Sequence, residues 1–346
     1  MELQKRVNTY DLLTYSMDGG DTRKTLFVKD ALIEVWRRVQ DGSSPWYRES
    51  TLMHRTPSRQ ITERGTRIFT SYSRGLLDLL HRREILYRAG TTFTLKGGPA
   101  DTVMKAYVNE NAGPGANNAA RVADGVTTGF TVEPAAGIAP EWAGQRSWQN
   151  LLDVLQEIAA DSGVDFDVVR TDTPGSGAAA FEFRTYYPQL GTDRSATVHF
   201  ATKFNNMQSP YYTNSSTEQV TRVAALGPGE NTARRVIVEE NAAGIAESPW
   251  NTIERSQDAR QEDTLTGLQS AATAVLAQAI PQEQFTFQIM QTDALQYGRD
   301  YFLGDIVTAS FDDDITTTKK IVGVTINVSE GKEVVSCEFA DVPTFA

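Results

Sequence analysis

Phe285-Thr286-Phe287-Gln288-Ile289 opens a run of short apolar segments that decides the fold. Tyr301-Phe302-Leu303-Gly304-Asp305-Ile306-Val307, Ile321-Val322-Gly323-Val324-Thr325-Ile326-Asn327-Val328 and Glu333-Val334-Val335-Ser336-Cys337-Glu338-Phe339 follow it. Phe285, Phe287 and Ile289 alternate with polar residues, as do Val335, Cys337 and Phe339, while Val322, Val324, Ile326 and Val328 share one face. Strand side chains alternate between faces, so a period of two marks half-buried strands. Gly304-Asp305 has the chemistry of a turn, and Ser329-Glu330-Gly331-Lys332 that of a hairpin loop in which glycine supplies the positive φ. The spacing predicts a meander of about four strands, enough for a small barrel or one sheet of a sandwich. Its chemistry is that of a wall rather than of a reaction site.

The remainder of the 346 residues is long enough for two to three domains. Short apolar runs at Leu26-Phe27-Val28, Leu32 to Val39 and Arg67 to Thr70, with a turn at Asp41-Gly42-Ser43-Ser44-Pro45, predict a β-rich first domain over residues 1–98. Leu32 to Val39 also permits a helical turn. Gly75 to Leu86 shifts to helical spacing and closes that domain. A helix capped by Asp101 is predicted through Val108, followed by a Gly-, Ala- and Pro-rich loop over residues 112–140. Ser147 is placed to cap the clearest helix, whose stripe runs Trp148, Leu151, Leu152, Leu155, Ile158 and Ala159 to a C-cap at Gly163. Strands at Val164–Val169, Phe181–Thr185, Ala196–Phe200, Val220–Leu226 and Arg235–Glu239 complete a middle α+β domain over residues 99–261. A helix from Glu262 to Ile280, stopped by Pro281, leads into the meander, giving a third domain over residues 262–346.

Charge and composition narrow the function. The net charge is −11, with 44 acidic against 33 basic residues. That disfavours an electrostatic grip on nucleic acid, which needs many Lys and Arg contacts to phosphate. An acidic surface serves solubility, and it would equally repel DNA inside a conduit. With one cysteine there is neither a disulfide framework nor a four-cysteine zinc site, and Cys337 reads as a small core hydrophobe. No apolar run approaches the ~18 residues of a membrane span. The start of the chain lacks a signal peptide's apolar segment, so folding in a cytoplasm is expected.

His54, His81 and His199 fall in separate predicted elements, without metal-ligand spacing. Asp312-Asp313-Asp314 reads as a solvated turn rather than a calcium loop, and Gly175-Ser176-Gly177 and Gly227-Pro228-Gly229 lack the Gly-Lys-Ser/Thr of a phosphate loop. The pattern predicts neither catalysis nor a cofactor. Tyr186-Tyr187, Tyr211-Tyr212, Trp142 and Trp250 suggest a rival reading, a carbohydrate-binding adhesion module, and a cell-wall hydrolase is the third.

The order of several segments is more specific than any one of them. Gly65-Thr66-Arg67-Ile68-Phe69 precedes Gly75 to Ile85, then Val103-Met104-Lys105-Ala106-Tyr107-Val108-Asn109-Glu110-Asn111 and Trp148-Gln149-Asn150-Leu151-Leu152. Leu226-Gly227-Pro228-Gly229-Glu230-Asn231-Thr232-Ala233-Arg234-Arg235 and the Tyr301–Val307 segment close the series. Together they resemble the siphophage tail-hub family, the baseplate-hub proteins at the tip of long non-contractile tails, which are similar to the central hub of contractile tails. The resemblance implies a β-rich α+β chain. In it two β-barrel-like domains, N- and C-terminal, flank an inserted α+β region. It implies a homotrimeric ring continuing the tail tube in the virion, assembled in the host cytoplasm. The implied partners are the distal tail protein, the tape-measure protein and other tail-tip proteins, with DNA passing through unbound and no insertion into a membrane. Larger relatives carry receptor-binding or wall-cleaving extensions; this sequence stops at Ala346, so such activity is expected in another protein. An open barrel edge must find a neighbour, which places Phe285, Phe287, Ile289, Val322, Val324 and Ile326 as the expected subunit interface.

Overall fold

The computed structural model describes residues 1–39, 44–86, 94–116, 130–172, 179–260, 262, 264–311 and 315–342. Asp41–Ser43, Gly175-Ser176-Gly177 and Asp312-Asp313-Asp314 lie outside the described residues, as does 117–129 of the predicted long loop. The strands are, in chain order, β1 (Glu2–Arg6), β2 (Leu12–Asp18), β3 (Leu32–Arg37), β4 (Tyr47–Ile61), β5 (Arg67–Gly75), β6 (Leu95–Pro99), β7 (Phe130–Val132), β8 (Glu141–Gln145), β9 (Asp165–Arg170) and β10 (Phe181–Tyr186). They continue as β11 (His199–Ala201), β12 (Met207–Ser215), β13 (Arg222–Leu226), β14 (Val236–Glu240), β15 (Glu254–Asp258), β16 (Gln282–Ile289), β17 (Ile306–Phe311), β18 (Ile315–Ser329) and β19 (Lys332–Asp341). The α-helices are α1 (Asp78–His81), α2 (Ala100–Asn111), α3 (Leu151–Ser162), α4 (Ala242–Ala246) and α5 (Leu265–Gln278). The chain divides into two compact units, Met1–Gln208 with Gln288–Ala346, and Ser209–Phe287.

The first unit is built on a nine-stranded sheet in the order β11-β17-β18-β1-β2-β5-β4-β3, with β19 also on β18. The two ends of the chain therefore share one sheet. β1 lies antiparallel to β18, with Leu3 opposite Ile326 and Lys5 opposite Val324. The sequence hides β1 and β2, because Glu2-Leu3-Gln4-Lys5-Arg6 carries a single apolar residue, yet Leu3 is fully buried. The predicted four-strand meander contains three strands here. β17, β18 and β19 are consecutive neighbours, while β16 pairs with β12. The β18–β19 turn is the expected one, with positive φ at Glu330 and Gly331. Leu32–Arg37 is extended rather than helical, and Leu26 ends a 3-10 turn instead of opening a strand.

Beside this sheet, α1, α2 and α3 pack with β9 and β10 around Leu80, Met104, Tyr107, Leu155, Phe166 and Phe183. Two expected caps are replaced. Asn150, not Ser147, caps α3 by accepting from Leu152 N, and it also donates to His81 O; Trp148 stands outside the helix at positive φ and is exposed. Asp101 sits inside α2 and accepts instead from the backbone of Ala136 and Gly137. Gly163 is the left-handed C-cap that the sequence predicts.

The second unit centres on β13, flanked by antiparallel β14 and parallel β15. α5 buries Leu268 and Ala272 against Val223 and Ala225. β12 and β16 form a two-stranded ribbon along which the chain enters and leaves this unit.

Candidate functional site

The strand path of the first unit's sheet ends at β11 and at β3, and β19 branches from β18 off that path. Among the described residues neither β3 nor β19 has a backbone partner on its outer edge. The two edges nevertheless meet through side chains. The Arg37 guanidinium, at the end of β3, donates from Nε and Nη2 to the Glu333 carboxylate at the start of β19, at 3.0 and 2.6 Å. Its Nη1 donates to Tyr47 OH at 2.7 Å and to Tyr297 O at 2.8 Å, and the group lies over the Tyr297 ring. A curled sheet thus has its seam bridged by an ion pair, with no closed barrel.

From Arg37 the network runs inward. Tyr47 OH and Tyr297 OH each donate to Glu49, at 2.9 Å, and Lys5 Nζ donates to Glu49 Oε1 at 2.6 Å. It links β19, β3, β4 and β1. Burial opposes a charge on Glu49, but Lys5 and the two tyrosine hydroxyls outweigh it and hold the carboxyl below its usual range. Burial likewise opposes the Lys5 ammonium, and Glu49 and Asp11 reverse that and raise its pKa. Burial pushes up the Tyr297 phenol, which therefore stays a donor. Gly298 is required here. It takes φ +89°, and a Cβ there would meet Tyr47 OH and the Arg37 guanidinium.

A cavity of about 460 Å³ adjoins the network, lined among others by Lys5, Asp11, Glu49, Ser50, Phe166 and Asp167. Ser50 Oγ donates to Asp11 at 2.6 Å, and Asp167 accepts from the Val168 N–H at 2.7 Å. Burial first, and then the Asp11 charge, push the Asp167 carboxyl up to about 7. Among the described residues no group of three or more His, Cys, Asp or Glu is gathered to hold a metal ion. His54 Nδ1 shares a hydrogen bond with Ser71 Oγ in the interior, and His199 Nε2 one with Ser310 Oγ, so both act as packing groups.

The six residues expected at a subunit interface fall in two different sheets. Phe285, Phe287 and Ile289 are on β16; Val322, Val324 and Ile326 are on β18. Phe285, Phe287, Val324 and Ile326 are buried, and Ile289 and Val322 half-buried. Over Gly323–Asn327, β18 is paired on both sides, by β1 and by β19, so its backbone offers no free edge there. Cys337, opposite Val324, is half-buried. Of the aromatics behind the adhesion reading, Trp142 is buried and donates to Asp161, whereas Trp250 and Tyr211 are exposed. Arg37, Glu49 and Tyr297 drew no notice in the sequence. For Arg37 and Glu49 the signal is a charged side chain inside a strand, in Trp36-Arg37 and Arg48-Glu49, whereas Tyr297 lies between strands.

The first unit is thus a curled, unclosed sheet shared by both chain ends, with a helical layer beside it. The fold is similar to that of a 43 kDa tail protein of prophage MuSo2 from Shewanella oneidensis, with TM-score 0.55, 10% identity, and 99% of this chain and 93% of that one covered. It is similar to a tail protein from Neisseria meningitidis MC58, with TM-score 0.51, 13% identity, and coverage of 97% and 91%. It is also similar to a chain of the Francisella PdpA-VgrG complex, with TM-score 0.52 and 9% identity, where all of this chain spans 54% of that one. These likenesses are of fold. The sequence itself matches the profile of the Siphovirus ReqiPepy6 Gp37-like protein family over residues 50–339, and the chain belongs to that family. No curated protein matches it in sequence.

Two measurements check the site. Gly298→Ala forces a Cβ into the Arg37–Tyr47 contact at an unfavourable φ, and is expected to destabilise the unit by about 2–3 kcal/mol in a urea titration; an unchanged midpoint counts against the network as drawn. The folded chain holds the Asp167 proton up to about pH 7, whereas an unfolded aspartate releases it near pH ~4. The folded state thus binds more protons in that window, and stability falls there as pH rises, by up to about 1.4 kcal/mol per unit. Asp167→Asn should therefore melt above the wild type at pH ~8 and lose the slope between pH ~4 and ~7; equal slopes in both proteins would show that Asp167 is not the titrating group.

Proposed function

We propose that the chain is a structural hub of a phage tail tip, three copies of which join as a ring that continues and closes the tail tube. The carrying observation is that the outer edges of β3 and β19 have no backbone partner among the described residues and face each other across the Arg37–Glu333 pair. Free edges invite pairing with another chain, and a head-to-tail contact that closes on itself gives each β3 and β19 edge a neighbour. Family membership supports the same reading. In the proposed hub the two barrel-like lobes are the N-terminal arc, β1 to β5, and the C-terminal arc, β17 to β19. Residues 1–98 and 262–346 supply the tube wall, and residues 99–261 contact the tip proteins. The partners in this reading are the distal tail protein, the tape-measure protein and other tip proteins, in the virion after assembly in the host cytoplasm. The role is mechanical, with no cofactor. A net charge of −11 suits a lumen that DNA must traverse without sticking.

We place the contact between copies at the edges rather than at the buried side chains of β16 and β18. Val334 on β19 is 64% exposed, and Val324 is 1% exposed. Val334→Lys is expected to reduce the native mass from three chains to one while the melting curve stays that of the wild type. Val324→Lys buries an unpaired ammonium and should instead unfold the first unit, at a cost of several kcal/mol. Analytical ultracentrifugation with negative-stain imaging decides the matter: a wild-type monomer without a ring excludes the hub, and a trimeric Val334→Lys protein excludes this edge.

A further inference from the structure

The β4–β5 hairpin carries a feature that ring formation leaves unused. Beyond Met53, β4 runs past the end of β3, and among the described residues Thr56 to Ile61 pair only with β5. At this end Lys24, Arg59 and Arg67 line a pocket of about 310 Å³ together with Gly19, Ile61 and Phe69. Lys24 Nζ donates to Gly19 O, and Gly19 N donates to Arg67 O at 2.9 Å, which holds two of the cations beside one turn. Arg59 lies opposite Phe69, and Arg67 opposite Ile61, in the β4–β5 register. Arg59 and Arg67 are exposed, and among the described residues neither has an ion-pair partner. No carboxylate lines the pocket. The acids nearby are otherwise engaged or turned to solvent: Asp18 accepts from Gly20 N, Asp21 pairs with Arg23, Asp30 pairs with Arg55, and Glu63 is exposed in the turn. Two arginines without an ion-pair partner among the described residues, with Lys24 beside them, thus line one pocket with Ile61 and Phe69 in a chain of net charge −11.

We propose that this pocket docks a glutamate-bearing, acidic segment of a partner protein. The guanidinium forks of Arg59 and Arg67 suit a carboxylate, and Phe69 and Ile61 suit the methylenes that precede it. A polyanionic nucleic acid fits less well. Three cations neutralise few phosphates, and the remaining surface repels them. Recognition runs through side chains rather than strand addition, because Pro57 lacks the N–H that a continuous ladder along this edge would use.

The test titrates the full-length chain with a short fluorescent oligo-glutamate peptide, an oligo-lysine peptide of equal length, and a single-stranded oligonucleotide of equal charge. Fluorescence anisotropy is read at low and high salt. Oligo-glutamate should bind, and more weakly as salt rises, while oligo-lysine should not. Arg59→Ala with Arg67→Ala should weaken binding about tenfold, and Lys24→Met should weaken it less. Both side chains are exposed, so circular dichroism and the melting curve should match the wild type. Native mass should also be unchanged, which separates this surface from the contact between copies. The proposal is overturned if oligo-glutamate does not bind or if the double variant binds it as the wild type does. It is equally overturned if the oligonucleotide binds more tightly than the peptide and loses its binding in the variant, which would assign the pocket to phosphate.

Discussion

The bidentate contact between Arg37 and Glu333 decides what kind of object this chain is. A sheet that curls far enough to bring its first and last strands together normally closes by extending the backbone ladder across the seam. Here β3 and β19 meet through the Arg37 guanidinium and the Glu333 carboxylate, with no backbone pairing between them among the described residues. An ion pair tolerates a gap and a change of angle that backbone pairing does not. It holds the curl while, among the described residues, the outer N–H and C=O groups of both strands stay without a backbone partner. Arg37 is nearly buried and Glu333 partly so, and removing either would strand the other's charge with few alternatives.

The interior explains why an arginine can occupy that position. Its donors are taken by Glu333, Tyr47 and Tyr297, and the tyrosines pass the demand on to Glu49, which Lys5 neutralises. Each member is satisfied by the next, which is the condition under which a buried polar network organises a fold instead of weakening it. The chain of contacts also ties residue 5 to residue 333 across almost the whole sequence. The first and last strands are therefore interdependent, and neither terminal segment completes the wall by itself. The cavity beside Asp11 and Asp167 has the opposite character. There Asp11 and Asp167 face an ammonium already paired with Glu49, and burial above all raises the pKa of both carboxyls.

The parts of the fold legible in the sequence were those with a strong local signal. Val322, Val324, Ile326 and Val328 announced β18 by their period, and Gly331 marked its turn. Leu151 to Ile158 announced α3, and Gly163 its end. β1 and β4 were illegible because their burial does not follow from their own residues. Lys5 and Glu49 look like surface charges until the other is placed within 2.6 Å. The caps failed for a related reason: several polar residues stood near each helix start, and tertiary contacts chose Asn150 over Ser147.

By itself the sequence determined that the chain is β-rich, acidic and patterned for half-buried strands, and that it resembles siphophage tail proteins. Hydrophobic period, turn chemistry and net charge are local or additive quantities, so they survive without coordinates. Only the tertiary structure decided that both ends enter one sheet, that β16 leaves the meander to pair with β12, and that the seam is ionic. Those outcomes depend on which strand lies beside which. Pairing energies between distant segments are set by register and by the partners of buried charges, and neither is written in any window of the chain.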